Sequence, residues 1–591
     1  MTGVGSRAAP WWLFASAIFV SAFLIFQVQP LIGRFILPWF GGTPAVWTTC
    51  MLFFQAALFG GYAYAHFLNT RARPRTQFVI HALLLAAAAA MLPIEPDAGW
   101  KPTGSDAPTL KILGLLSLTV GLPYFVLAST GPLMQAWFSR TNPGRSPYPL
   151  YSLSNIGSVL GLVTYPFYFE PKMTLSSQST AWSIAFGVFA LICGWCGFSA
   201  SRVQSPNANA DSLPDPNTGG VDPAAELDEM PTPFSSTLWV LLAACGTTLL
   251  LASTNQVCLD IAVIPFLWVL PLTLYLLSFI LVFAGRWGYP RWLFLPLMPL
   301  CLLAVLMVTT TPPKRAFVGD LLRLISLNRL NLSKADLPAW LQFSLNDLAD
   351  MVGLSGSDTS MPGQVAAHFS ALFVCCMVCH GEMVRLKPGP KYLTSFYLAT
   401  SFGGALGGVF VGLIAPYVFD RYIELPLGLV ATCITVALAL GADSRFFLNR
   451  SPWNYGWVPV AIVLLICTRV FYQNVAGRPD DDLARVRNFY GTLHVGDSPA
   501  YRGPDSPPFN PNGPFILGDS RKLIHGRILH GHQFLHESQR GIPTSYYIRD
   551  SGLGLAIQHI RKRGTKRIGM VGLGVGTFAA YGEEGDYVKI Y

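Results

Sequence analysis

Residues 11–31 read WWLFASAIFVSAFLIFQVQPL, a run without a single charged side chain. Roughly 20 mostly apolar residues in helical form cross the hydrocarbon core of a bilayer. The stretch therefore reads as a membrane span. Further apolar runs follow it directly and no small-residue cleavage pattern bounds it, so it does not read as a cleavable signal. Working outward, comparable runs lie at 45–68, 77–93, 111–137, 149–169 and 181–199. A second set lies at 236–256, 263–284, 291–309, 365–383, 392–418 and 424–441, and a thirteenth run at 455–473.

Of the 591 residues, 52% are apolar and 12% are charged, about half the charged fraction of an average soluble protein, which is about 25%. This excludes an ordinary soluble enzyme, a disordered chain and a secreted disulfide scaffold. Residues 476–591 hold 15 Lys/Arg and 11 Asp/Glu, and the first 475 residues hold the other 45 charged side chains. All 11 cysteines lie at or before Cys467, and six of the 10 histidines lie in the tail. One region is built for lipid and one for water. The net charge of +9 is not gathered into a basic patch with interleaved aromatics, so nucleic acid is not an expected partner.

The expected architecture is a mainly α polytopic membrane protein with two repeats of about six spans, 1–200 and 236–441. Residues 201–235, rich in Pro, Asn, Asp and Ser, read as a flexible acidic linker. Residues 310–363 form a polar loop in the second repeat, and 442–475 carry the extra span. A small β region is expected over 476–565, and 566–591 open a partial α/β Rossmann-like domain of methyltransferase type. The repeat is visible in Tyr151, Gly157, Leu160 and Gly161, which recur 246 positions later as Tyr397, Gly403, Leu406 and Gly407. Pro166 and Pro416 follow the two sets. Small residues at this spacing let helices approach closely in lipid.

Lys/Arg in the loops after spans two, four, eight and ten (Arg71, Arg140, Arg286 and Arg385 among them) place the N-terminus in the cytoplasm. Loops on the other side are poorer, with Arg34, Lys101, Lys111, Lys172 and Arg421. Thirteen spans would put the tail outside the cytoplasm, which conflicts with a tail enzyme using cytoplasmic substrates. Gln27, Gln29, His66, His81, Asp260, His368, His380 and Glu382 lie in or near spans and are functional candidates by position. Interface placement or helix-to-helix pairing is the simpler reading of most. Cys376-Met377-Val378-Cys379-His380 fits a C-x-x-C-H spacing. It ends an apolar helix, which disfavours haem attachment, and no metal constellation is visible in the sequence.

In the tail, 487–495 reads as a short strand and 497–513 as Pro/Gly/Asp loop. Residues 521–533 read as two strands turning near Gly526, and 552–563 as a helix. Lys566-Arg567-Ile568-Gly569-Met570-Val571 reads as a strand running into Gly572-Leu573-Gly574-Val575-Gly576-Thr577. Phe578-Ala579-Ala580-Tyr581 opens a helix, and 587–591 form a second strand. Strand, glycine turn, helix and strand in this order make a nucleotide-binding half-unit. G-x-G-x-G favours an adenosyl-methionine type of ligand over a dinucleotide. The acidic residue that binds ribose hydroxyls is due where the sequence stops, so the chain is expected to be C-terminally truncated.

The sequence resembles the bacterial spermidine synthase-like proteins whose Rossmann domain is fused to a major-facilitator-like membrane domain. The resemblance rests on Gln29-Pro30, Leu37-Pro38-Trp39-Phe40-Gly41-Gly42, Pro44-Ala45-Val46-Trp47-Thr48-Thr49-Cys50 and Gly61-Tyr62-Ala63-Tyr64-Ala65-His66. It also rests on Pro265-Phe266-Leu267-Trp268-Val269-Leu270-Pro271, Cys379-His380-Gly381-Glu382, His525-Gly526 and the tail motifs. It implies a multi-pass protein of the bacterial inner membrane. It also implies aminopropyl transfer from decarboxylated S-adenosylmethionine, as co-substrate, to a polyamine amine, with no permanently bound cofactor and no metal. By resemblance, Gln533 and Tyr546 line the donor or amine site, and Gly572, Gly574 and Gly576 surround the donor. The catalytic aspartate is expected beyond Tyr591, which would leave the chain as given inactive. Tyr546 is followed by Tyr547 where synthases carry Gln-Glu, and Val575 stands where they carry Asp. Methyltransferase-like chemistry, a non-catalytic ligand-binding tail, and a transporter or permease with a degenerate or regulatory tail remain open.

Overall fold

The computed structural model describes residues 10–102, 107–142, 145, 148–202, 230–260, 266–283, 288–309, 361–389, 392–451, parts of 453–469, 482–499, 518–526, 528–561 and 564–591. Most of the linker 201–235, of the polar loop 310–363 and of the loop 497–513, and nearly half of the run 455–473, lies outside them. The chain divides into two units. One is Met1–Ala415 with Glu424–Phe471, and the other is Pro416–Ile423 with Tyr472–Tyr591.

The first unit is helical. Its helices are α1 (Trp11–Phe40), α2 (Pro44–Arg71), α3 (Pro74–Ala90), α4 (Pro108–Thr119), α5 (Gly121–Thr141), α6 (Tyr148–Thr164) and α7 (Leu175–Arg202). After the linker come α8 (Pro233–Asp260), α9 (Phe266–Phe283), α10 (Arg291–Thr309), α11 (Met361–Arg385), α12 (Leu393–Val409) and α13 (Glu424–Ala442). Seven described helices are long and apolar enough to cross a membrane: Trp11–Phe40, Pro44–Arg71, Leu175–Arg202, Pro233–Cys258, Pro362–Arg385, Leu393–Val418 and Glu424–Ala442. At 1.5 Å per residue, α1 is about 45 Å long, more than the roughly 30 Å of hydrocarbon. Helix α7 exposes Ile184, Val188, Leu191 and Trp195, an apolar stripe at helical spacing that fits lipid rather than water.

The expected run 111–137 is not one straight span. It is α4 and α5, bent by 71° at Val120. Gly121 follows the bend, and Pro123 has no N–H to give back to the preceding turn. The expected run 149–169 is likewise α6 followed by a π-helical turn, Tyr165–Phe169, that contains Pro166. A second π turn, Phe410–Ile414, follows α12, just before Pro416. A proline that removes an N–H lets the ladder slip by one residue. The apolar stretches Trp268–Phe283 of α9 and Arg291–Leu306 of α10 are shorter than the seven.

Packing follows the small residues. A Cβ on Gly157 would stand 2.7 Å from the Phe19 carbonyl oxygen, and one on Gly161 2.5 Å from that of Phe23. So α6 lies directly on the backbone of α1. In the other half a Cβ on Gly407 would stand 2.7 Å from the Ala244 oxygen, and Gly403 abuts Val240 in the same way. So α12 lies directly on α8. Helix α1 also packs on α5 and α7, as α8 packs on α11 and α13. Across the halves, α2 packs on α12 and α9 packs on α6.

Polar side chains within this unit are mostly tied between helices. Gln27 donates to the Gly161 carbonyl at 2.8 Å, and Trp137 donates to Gln77 at 2.8 Å. His66 meets Thr394 at 3.0 Å, and His81 sits between Tyr64 and Cys193. Glu382 takes Arg291 in a two-toothed grip and the Tyr289 hydroxyl at 2.9 Å. The same Arg291 reaches Asp443 at 2.6 Å. Glu382 is thus a clamp joining the ends of α10, α11 and α13. His380 meets Ser278 at 2.8 Å and stacks on Phe279. Cys376 and Cys379 are fully buried inside α11.

The second unit is a small α/β region. Strands β1 (Asp482–Asn488), β2 (Gly491–Ser498), β3 (Ser520–His525) and β4 (Ile528–Phe534) form one antiparallel sheet in sequence order. The single strand expected over 487–495 is two strands, turning at Phe489-Tyr490 with Asn488 opposite Gly491. The turn has none of the Asn-Gly or Asp-Gly signals that mark hairpins. Helix α14 (Gly552–Arg561) precedes β5 (Arg567–Met570), which pairs in parallel with β6 (Tyr587–Ile590). A short 3-10 helix, Thr577–Tyr581, lies between them, where the sequence reads as the opening of a longer helix. Phe578, Tyr581 and Ile557 form the small core under this pair.

Candidate functional site

The sequence points to the glycine turn after β5, and the turn is built from its ends inward. Lys566 and Asp586 each stand one residue before a strand. The Lys566 N–H donates to Asp586 at 2.9 Å, and its ammonium reaches the same carboxylate at 2.9 Å. The Tyr587 N–H returns to the Lys566 carbonyl at 2.8 Å. This clamp sets the parallel register Arg567 to Tyr587. The Lys566 hydrogen bond holds the Asp586 carboxyl below its usual value, and Asp586 in turn raises Lys566.

From the top of β5 the chain turns through Gly572, Gly574 and Gly576 at φ +85°, +56° and +73°. These are left-handed values that a side chain strains to adopt. The Gly572 N–H closes on the Tyr591 carbonyl at 3.0 Å and the Gly576 N–H on that of Leu573 at 2.9 Å. The N–H groups of Leu573, Gly574 and Val575 make no main-chain hydrogen bond among the described residues. Successive amides in such a turn form a concave donor surface for anionic or hydroxyl-bearing ligand groups.

Strand β4 lies against this turn. A Cβ on Gly531 would overlap the Val575 side chain at 2.5 Å, with Thr577 next to it at 3.4 Å. Opposite the turn, the Tyr546 hydroxyl donates to the His530 carbonyl at 3.2 Å, at the edge of reach of Leu529 at 3.4 Å. The atom nearest to a Cβ on Gly574 is that same His530 oxygen, at 3.8 Å. Tyr546 and Gly574 are therefore brought to one carbonyl. Gln533 lies two residues after Gly531 on β4, is exposed, and its amide reaches only the Arg540 carbonyl, at 3.5 Å. It shares a strand face with the turn contact but makes no contact with the glycines.

Around Tyr546 the backbone is strained. Ser545 has φ +58°, the one non-glycine residue with positive φ among the described residues. Such values persist where neighbours over-determine them. Here Thr544 donates to the His532 carbonyl, and Ser545 meets His532 Nδ1 at 3.2 Å. Burial, helped by the Lys522 charge, holds the His532 imidazolium below its usual value. His530, His532 and Ser545 are not among the residues read from the sequence as a site. Their part comes from backbone atoms and from pairing across β4, which no spacing motif records. Glu583 and Asp586, in the segment between the turn and β6, are both engaged with Lys566. Among the described residues no cluster of His, Cys, Asp or Glu is arranged to hold a metal ion.

Compared with known proteins, the chain matches no family model and no curated protein.

Proposed function

We propose that the second unit binds an S-adenosyl-type ligand on the 572–576 turn. We propose further that the protein is an inner-membrane aminopropyltransferase of spermidine synthase type, with decarboxylated S-adenosylmethionine as donor and a polyamine amine as acceptor. The observation that carries this reading is the turn between parallel strands β5 and β6, with three glycines at positive φ and Tyr546 anchored beside Gly574 through His530. In this reading the free amides of the turn hold the ribose or the sulfonium-side groups. Tyr546 and Gln533 border the space for the amine. The acceptor's proton would pass to a carboxylate that these residues do not supply. The test is incubation of the full-length membrane protein with putrescine and the labelled donor. The expected result is spermidine and 5′-methylthioadenosine in equal amounts.

A second reading, a major-facilitator-like transporter with a regulatory ligand-binding tail, is favoured by the reciprocal packing of the helical unit. Gly157 and Gly161 of α6 pack against α1 as Gly403 and Gly407 of α12 pack against α8. The crossing of α2 on α12 and of α9 on α6 supports two six-helix repeats related by a two-fold. Flux of labelled polyamine into proteoliposomes holding the full chain tests it.

A further inference from the structure

A cavity of about 260 Å³ lies in the helical unit between α1, α2, α9 and the π turn after α6. Three stretches singled out in the sequence converge on it. The turn of α1 beyond Gln29-Pro30 brings Arg34 and Leu37, the 44–50 stretch brings Trp47, and the 265–271 stretch brings Trp268. The function proposed above uses none of them.

Its chemistry is specific. Trp47 and Trp268 stack at 5.3 Å with 16° between ring planes, and both are buried. Arg34 Nη1 donates to the Glu170 main-chain carbonyl at 3.3 Å and faces the Glu170 carboxylate, with 3.5 Å to Oε1. That is longer than the roughly 2.7–2.9 Å of a closed charge-assisted hydrogen bond. Both side chains are partly exposed, at 42% and 30%. Tyr165 is 4% exposed, and its hydroxyl sits near Arg34 without a well-formed hydrogen bond. Buried polar atoms are rarely left unmet.

The cavity offers one positive group, one negative group, a buried hydroxyl and an aromatic wall. A ligand that is only a cation would meet Arg34, and one that is only an anion would meet Glu170. A molecule carrying both charges satisfies both. The volume is below the 300–1,000 Å³ typical of drug-sized ligands, so the molecule is small. We propose that this cavity binds a small zwitterion of the apolar α-amino-acid class. Its carboxylate lies on Arg34, its ammonium on Glu170, and its side chain against Trp47 and Trp268. This site is independent of the tail.

The experiment uses the full chain in detergent or nanodiscs. Equilibrium binding of labelled L-alanine, L-leucine, L-methionine and L-phenylalanine is measured. It is repeated with 3-methylbutylamine and 4-methylpentanoate, which are leucine without its carboxylate and without its amine. At least one amino acid binds saturably, and where leucine binds, the amine and the acid bind about tenfold or more weakly. Arg34→Gln and Glu170→Gln each weaken binding about tenfold or more, and Arg34→Lys weakens it less than Arg34→Gln. The proposal is overturned if none of the four amino acids binds. It is also overturned if the amine or the acid alone binds as tightly as leucine, or if both Gln variants bind as the unaltered protein does. The analogue comparison needs no substitution, so a variant that fails to fold does not decide the result.

Discussion

The Tyr546 hydroxyl donates to the His530 main-chain carbonyl at 3.2 Å, and the same oxygen is the nearest atom to the Cβ position of Gly574, at 3.8 Å. Two segments nearly thirty residues apart thus meet on a single peptide group of β4. That meeting packs the glycine turn against β4, and it makes the proposed role of the turn testable through Tyr546. Tyr546→Phe removes one hydrogen bond at a half-exposed position, where water takes over part of the bonding. The expected loss is small, about 0.5 kcal/mol of stability. Donor affinity falls about two- to threefold in equilibrium binding. Tyr546→Ala, which also removes the ring, weakens the donor further.

Gly574→Ala isolates backbone strain. Space is available for the new methyl group, since only the His530 oxygen lies within 4 Å. The left-handed φ of +56° still costs a side chain about 1–2 kcal/mol. Thermal unfolding of the second unit, followed by hydrogen exchange of β5 and β6, should show that loss. Donor affinity should fall about tenfold. Gly541→Ala, with nothing within 4 Å and no positive φ, should change neither.

The Lys566–Asp586 clamp has a defined pH window. Asp586 titrates below its usual value because Lys566 bonds to its charged form. Its stabilisation is complete above the ordinary aspartate value near pH 4 and is lost as pH falls through the lower folded value. Lys566 is raised by Asp586, so its contribution is complete below the ordinary lysine value and is lost as pH rises through the higher folded one. Acid titration followed by exchange at Tyr587 and Lys566 should show β5–β6 opening at low pH. Asp586→Asn should weaken the pair at neutral pH and remove that acid dependence.

Gly161→Val and Gly407→Val should each destabilise the helical unit strongly, because each added side chain meets a carbonyl oxygen of the facing helix within 2.7 Å. Overpacking of this kind costs about 1–3 kcal/mol or more. Gly187→Val and Gly194→Val on α7, where nothing lies within 4 Å, should leave the melting temperature nearly unchanged. Melting of the purified protein in detergent separates the two pairs. Equal effects of the two substitutions in the two halves are what the two-fold reading requires.

Glu382→Gln leaves Asp443 as the one carboxylate on Arg291 among the described residues and weakens the two-toothed grip and the Tyr289 contact. Losing a charge-assisted grip of this type costs about 1.5–3 kcal/mol. A lowered melting temperature with any transport activity intact would mark Glu382 as a clamp. Loss of activity at unchanged stability would contradict that assignment.

The membrane half was legible where apolar length decides structure. The seven long helices fall on expected runs. Helix breaks were less legible, although Gly121-Leu122-Pro123 carries the signal for the bend at Val120. A window that averages hydropathy passes over one proline. The turn at Gly572–Gly576 was readable because only glycine accepts its backbone angles. The partner of Tyr546 was not, because a main-chain carbonyl carries no residue signature. Likewise Arg34, Trp47, Glu170 and Trp268 are scattered over four segments, and only tertiary packing brings them to one cavity.

The proposed seat of an S-adenosyl-type ligand on the 572–576 turn is tested by calorimetric titration of the full-length protein in nanodiscs with decarboxylated S-adenosylmethionine. Saturable one-site binding is expected, competed by 5′-methylthioadenosine and weakened about tenfold by Gly574→Ala. Absence of binding, or binding that Gly574→Ala and Tyr546→Ala leave unchanged, would contradict it.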